Sequence, residues 1–149
     1  MKRTVMITLA ALTALAVNAW ALGTADLVEQ GMRDVRSSNV AQLGDAAARA
    51  DAVAAVAAKS EDRGPAYALG VQLGAVLLEL DASVASPPGD RPAVEREVRG
   101  VLAAQQKLGL SDRAVCLLTG REDPSSFEAL MRLAAPGFTC GHHHGRSTP

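Results

Sequence analysis

Apolar residues recur every three or four positions from residue 25 to residue 135, and this period is what most constrains the fold. It is the period of an α-helix with one buried face. The period-2 alternation of a half-buried strand is not convincing anywhere. An all-α fold follows. The apolar mass is mostly Ala, Leu and Val, and aromatic residues make up only 3% of the chain. Alanine is the best helix former. Its small side chain lets helices approach closely but removes little area from water, at roughly 25 cal/mol per Å2. The expectation is therefore a small bundle of five to six helices with a thin core, in which a covalent cross-link carries much of the stability.

The first helix is expected after Thr24 as N-cap, with Ala25, Val28, Met32 and Val35 as its stripe. Ser37-Ser38-Asn39 interrupts. A long second helix is read from Val40 to Lys59, followed by a polar turn, Ser60–Gly64. Pro65 suits the first turn of a third helix, running to Leu80. Polar residues are nearly absent from it, so it is read as the central, buried helix. Gly70 and Gly74 lie four apart there, a spacing that suits close packing against a neighbour in the core. Residues 81–92, rich in Ser, Pro and Gly, read as an internal linker. A fourth helix runs to Leu108 with Val94, Val98, Val101, Gln105 and Leu108 on one face, and Gly109 stops it. Ser111 caps a short fifth helix through Leu118. A sixth, started by Asp123-Pro124, reaches Ala135 with Phe127, Leu130, Met131 and Ala134 inward. Gln42-Leu43-Gly44 is echoed by Gln72-Leu73-Gly74, but no third copy follows. The echo is read as a product of biased composition, not as a repeat.

The first 21 residues carry the three parts of an export signal. Lys2 and Arg3 are the only charges before Asp26. Val5 to Val17 is apolar apart from Thr8 and Thr13, and Ala19 and Ala21 supply the small residues a signal peptidase requires. Cleavage after Ala21 would leave 128 of the 149 residues, with a helical domain over 22–140 and a tail over 141–149. It would remove Trp20 and two of the 15 basic residues, leaving 13 against 16 acidic ones, a formal charge of −3. A mildly acidic chain argues against nucleic acid as partner. No stable membrane span is expected after cleavage. The localisation expected is periplasmic or secreted.

An oxidising compartment and a pair of cysteines predict a Cys116–Cys140 disulfide. Closing a loop of that length constrains the unfolded chain by about 3–4 kcal/mol in the chain-entropy model. All three histidines, His142, His143 and His144, follow in the tail. Imidazole and thiolate are natural ligands of Zn, Cu and Ni. Oxidation of Cys140 would leave only the three adjacent imidazoles, a weak and unselective set.

Enzyme signatures are sparse. There is no G-x-S-x-G, no P-loop lysine motif and no H-E-x-x-H, and the histidines sit at one terminus. Glu95 and Glu97 with Arg96 and Arg99 read as a solvated helix face, as does Arg121-Glu122-Asp123. No catalytic residue is assigned and no resident cofactor is expected. The reading is an exported small helical binding protein, of a protein-interaction or inhibitor-like kind, with a protein as its partner. The alternative is a metal-binding accessory protein using the Cys/His tail.

Overall fold

The computed structural model describes residues 23–85, 91–120 and 124–141. They form helices and turns, with no strand among the described residues, so the fold is all-α as the periodicity requires. The leader at 1–21 lies outside the described residues. Helix α1 covers 23–37, so Thr24 lies within it instead of capping it. Then come a 3-10 turn at Val40–Gln42, α2 (Ala46–Ala57), α3 (Ser60–Arg63), α4 (Pro65–Ala85), α5 (Arg91–Leu108), α6 (Asp112–Leu118) and α7 (Pro124–Met131). None of these helices is long and apolar enough to cross a membrane.

Between α1 and α4 the chain departs from the periodic reading twice, each time for a local reason. The helix read over Val40–Lys59 is broken. Asn39 takes a left-handed φ of 57°, and Leu43 is extended. Asp45 then accepts from Ala47 N and Ala48 N at 3.3 and 3.4 Å and caps α2. A short carboxylate that competes with the helix ladder for backbone donors starts a helix better than it continues one. Gln42-Leu43-Gly44 therefore lies in a break, whereas Gln72-Leu73-Gly74 lies inside α4, and the echo has no structural counterpart. In the second case the polar turn at Ser60–Gly64 contains a single helical turn, stopped by Gly64 at φ 88°. Pro65 opens α4, as read.

Helix α4 continues five residues beyond Leu80, because Asp81–Ala85 contains neither Gly nor Pro. The linker correspondingly shrinks. Residues 81–85 belong to α4 and Arg91-Pro92 to the first turn of α5, while 86–90 lie outside the described residues. Gly109 ends α5 in a left-handed conformation at φ 65°. Ser111 Oγ accepts from Ala114 N at 3.2 Å and caps α6. Asp123, the expected cap of the last helix, lies outside the described residues. That helix stops at Met131 instead of Ala135, tightened by a bond from Leu133 N to Leu130 O.

Helix α4 is the axis of the molecule and is buried on two faces. One face, with Leu69, Leu73 and Val76, meets Val98 and Val101 of α5, Val115 of α6, and Phe127 and Met131 of α7. The other, with Tyr67, Val71 and Ala75, meets Val35 of α1 and Val53 and Val56 of α2. Among the helices from α2 onward the α4–α5 pair has the most extensive contact, and α2 is held far more lightly. Helix α1 crosses α4 backbone to backbone. A Cβ placed on Gly31 would lie 2.4 Å from Tyr67 O, and one on Gly70 would lie 2.0 Å from Val28 O. The glycine spacing on α4 thus serves close packing in the core, and its unforeseen counterpart is Gly31.

Candidate functional site

Cys116 and Cys140 are bridged, both buried, with Cα atoms 5.7 Å apart and a separation of 24 positions in sequence. The segment beyond α7 is held by more than sulfur. Asp112, at the start of α6, accepts from Gln105 Nε2 at 2.6 Å and from Thr139 N at 3.2 Å. Glu128 of α7 accepts from Cys140 N at 3.0 Å and pairs with Arg132, whose Nε donates to Phe138 O. The Phe138 ring meets Phe127 edge-on at 6.1 Å. Residues 138–140 have no periodic signal of their own, so two carboxylates, an arginine and the disulfide define their path. His142, His143 and His144 lie outside the described residues. Cys140 is committed to the bridge, so no thiolate remains for them to share a metal with. Among the described residues there is no group of three or more His, Cys, Asp or Glu able to hold a metal ion.

The bridge immobilises α6 from one side, and Leu117, next to Cys116, projects from the other with 72% of its surface exposed. Beside it is a groove of about 390 Å3 between α1 and α6. Val28, Met32 and Leu118 supply its apolar wall, and Glu29, Arg33 and Arg36 its polar edge. Glu29 and Arg33 are paired at 3.5 Å and well exposed, a contact worth little by itself. The arrangement is an apolar anchor and a basic rim on a covalently braced helix.

A second polar feature corrects the sequence reading. Of the charges at the start of α5, Glu95 and Arg99 do pair toward solvent, at 3.2 Å. Glu97 does not belong to that face. It turns inward, and its Oε2 is buried without a hydrogen-bond partner. It lines a cavity of about 290 Å3 with Arg49 of α2 and Glu79 and Asp81 of α4, against Val40, Val53 and Leu78. Arg49 Nε lies 3.4 Å from Glu79 Oε1, and its NH1 donates to Leu43 O at 2.9 Å. Burial, and next the charge of Glu79, push the Glu97 carboxyl up to about 7. Arg49 and then Arg96 oppose this without cancelling it. The sequence signal for this site is slight: Glu79 closes a run in which polar residues are nearly absent, and Arg49 sits among alanines between Asp45 and Asp51.

A third polar set ties α1 to α3 and α4. Tyr67 Oη donates to Asp34 Oδ2 at 2.6 Å, and Arg63 NH1 pairs with the same oxygen at 3.1 Å. The Arg63 guanidinium lies 4.9 Å from the centre of the Tyr67 ring. Burial, followed by the hydrogen bond to Asp34 and its charge, pushes the Tyr67 phenol up to about 12. This set is structural. It satisfies the hydroxyl of a buried tyrosine. Comparison with protein-family models, curated proteins and solved structures found no match to this chain.

Proposed function

We propose that the chain is an exported helical binding protein without catalysis, whose partner is a protein carrying an apolar anchor flanked by acidic groups. The observation that carries this is Leu117, exposed on a helix that the disulfide braces, beside the α1–α6 groove. A large apolar side chain held out by a rigid element loses little further freedom on binding, which is how interface anchors gain affinity. Arg33 and Arg36 on the rim select for negative charge and speed encounter. The export part of the proposal is supported by the bridge itself, since disulfides persist in oxidising compartments.

The test is capture from the cell-envelope fraction with the parent protein, Leu117→Asp and the Arg33→Glu/Arg36→Glu pair, with Arg99→Glu as control. A stoichiometric partner that is lost with Leu117→Asp, weakened by the arginine pair and by salt, and kept by Arg99→Glu supports the proposal. Capture that Leu117→Asp leaves unchanged, or no stoichiometric partner, overturns it. Self-association abolished by Leu117→Asp would make the partner a second copy and overturn the acidic-partner assignment.

A further inference from the structure

We propose that Glu97 is a proton-operated latch for α2: protonated, it lets α2 close over the α4–α5 face, and ionised, it favours release of α2 from that face. Three observations meet here. Glu97 Oε2 is buried with no hydrogen-bond partner, an arrangement that suits an uncharged carboxyl far better than a carboxylate. The charges around it are unbalanced toward the negative. Glu97 also lines a second cavity, of about 460 Å3, between α2 and α5; Arg49 and Asp51 face the two cavities from α2, Glu79 and Asp81 from α4, and Arg96 from α5 itself. Arg49, the cation that bridges from α2, lies 3.4 Å from Glu79 and donates from NH1 to Leu43 O, and its Nε, like Glu97 Oε2, is buried without a hydrogen-bond partner. Ionising Glu97 therefore adds a further negative charge to a seam in which Arg49 and Arg96 already face Asp51, Glu79 and Asp81.

Helix α2 is the element able to yield. Val53 and Val56 are its buried side chains among the described residues, and most of the rest are small or polar. It is entered through the extended break at Leu43–Asp45, where a Cβ added at Gly44 would meet nothing within 4 Å. Release of α2 admits water to Glu97 and removes the burial that raises its proton affinity. Proton and closure are thereby linked. The sign is fixed by the direction of the shift. The closed state holds the proton more tightly than the open one, whose carboxyl titrates near the ordinary value of 4.5. Closure is strongest below that pH, weakens as the pH rises toward about 7, and levels off above it.

The experiment is hydrogen exchange at the α2 amides, at pH 5 and pH 8.5 and corrected for intrinsic rates, on the oxidised protein. Between these two pH values a shift from 4.5 to about 7 corresponds to a change of roughly 75-fold, and the partial exposure of Glu97 lowers the expectation to about 10–30-fold. Protection over 46–57 should fall by that factor at the higher pH, while that of α4 holds. Glu97→Gln should keep α2 equally protected at both. Glu79→Gln removes one opposing charge and should move the transition to lower pH. Protection of α2 that ignores pH in the parent, or a fall that persists in Glu97→Gln, overturns the latch. So does a transition that Glu79→Gln fails to move, and this variant decides the matter should Glu97→Gln not fold.

Discussion

Replacing Gly70 by alanine tests the backbone-to-backbone crossing of α1 and α4. The new Cβ would lie 2.0 Å from Val28 O and 2.8 and 2.9 Å from two further backbone atoms of Val28. Ordinary contact begins near 3.4 Å, so α1 and α4 must separate locally by about 1.4 Å, and backbone atoms have no rotamer with which to avoid it. A gap of 0.5–1 Å already forfeits a quarter to a half of the dispersion energy across it. Val28 and Val35 are buried at this crossing, with Met32 partly so. At about 1.5–3 kcal/mol per fully buried side chain, losing half of their packing costs about 3–4 kcal/mol. Alanine returns about 1 kcal/mol of helix propensity. The net expectation is a destabilisation of about 2–3 kcal/mol. It is read as a lower urea midpoint at unchanged slope, by circular dichroism on oxidised protein. Gly74→Ala and Gly100→Ala calibrate the reasoning. The first meets Val35 Cβ at 3.1 Å and should change stability by less than about 1 kcal/mol. The second meets the end of the flexible Gln72 side chain and should be neutral or stabilising by up to about 1 kcal/mol. A Gly70→Ala protein as stable as the parent, or an equal effect at Gly70 and Gly100, would refute the steric argument.

Reduction of the disulfide, or the Cys116→Ser/Cys140→Ser pair, should lower unfolding free energy by about 3–4 kcal/mol for this loop length. Intact mass should rise by about two daltons when the Cys116–Cys140 bridge is reduced, and no rise would show that it had not formed. Global stability should decline as the pH rises from 4.5 to about 7, because the folded state holds the Glu97 proton more tightly than the unfolded chain does. Glu97→Gln should be nearly silent at pH 5 and stabilising by about 2 kcal/mol at pH 8, after allowance for partial exposure. Equal chemical-denaturation midpoints for the two proteins at pH 8 would contradict this. The chain has a single tyrosine, so ultraviolet titration reads Tyr67 alone. Ionisation is expected near 12 or together with alkaline unfolding, and a transition at the ordinary value near 10 in folded protein would argue against the Asp34 bond. Tyr67→Phe should cost about 1–2 kcal/mol, since Asp34 keeps Arg63 as a partner.

Much of this molecule was legible in the order of its residues. The three-to-four period set the helical class, and the nearly uninterrupted apolar run from Tyr67 to Leu80 marked α4 as the axis. Gly109 and Ser111 announced the end of α5 and the start of α6, because caps act over one turn. The cysteines paired as their number implied. Helix ends set by competition were less visible. Asp45 has equal standing as a helix surface residue or a cap, and only the backbone path around Asn39 decides between them.

What the tertiary structure alone decided is where polar groups fall relative to other helices. Glu95 and Glu97 are two residues apart in one charged stretch, yet one meets Arg99 in solvent and the other lies against α2 and α4. Periodicity places both on a helix but cannot say which further helix covers which side. Gly31 carried no signal for the same reason, since its importance comes from the backbone of α4 lying against it. Helix formation and capping depend on neighbours in sequence, and the proton affinity of Glu97 depends on what α2 and α4 bring to it across the fold. The sequence by itself determined the helices and the bridge between Cys116 and Cys140. Their packing determined the buried charge.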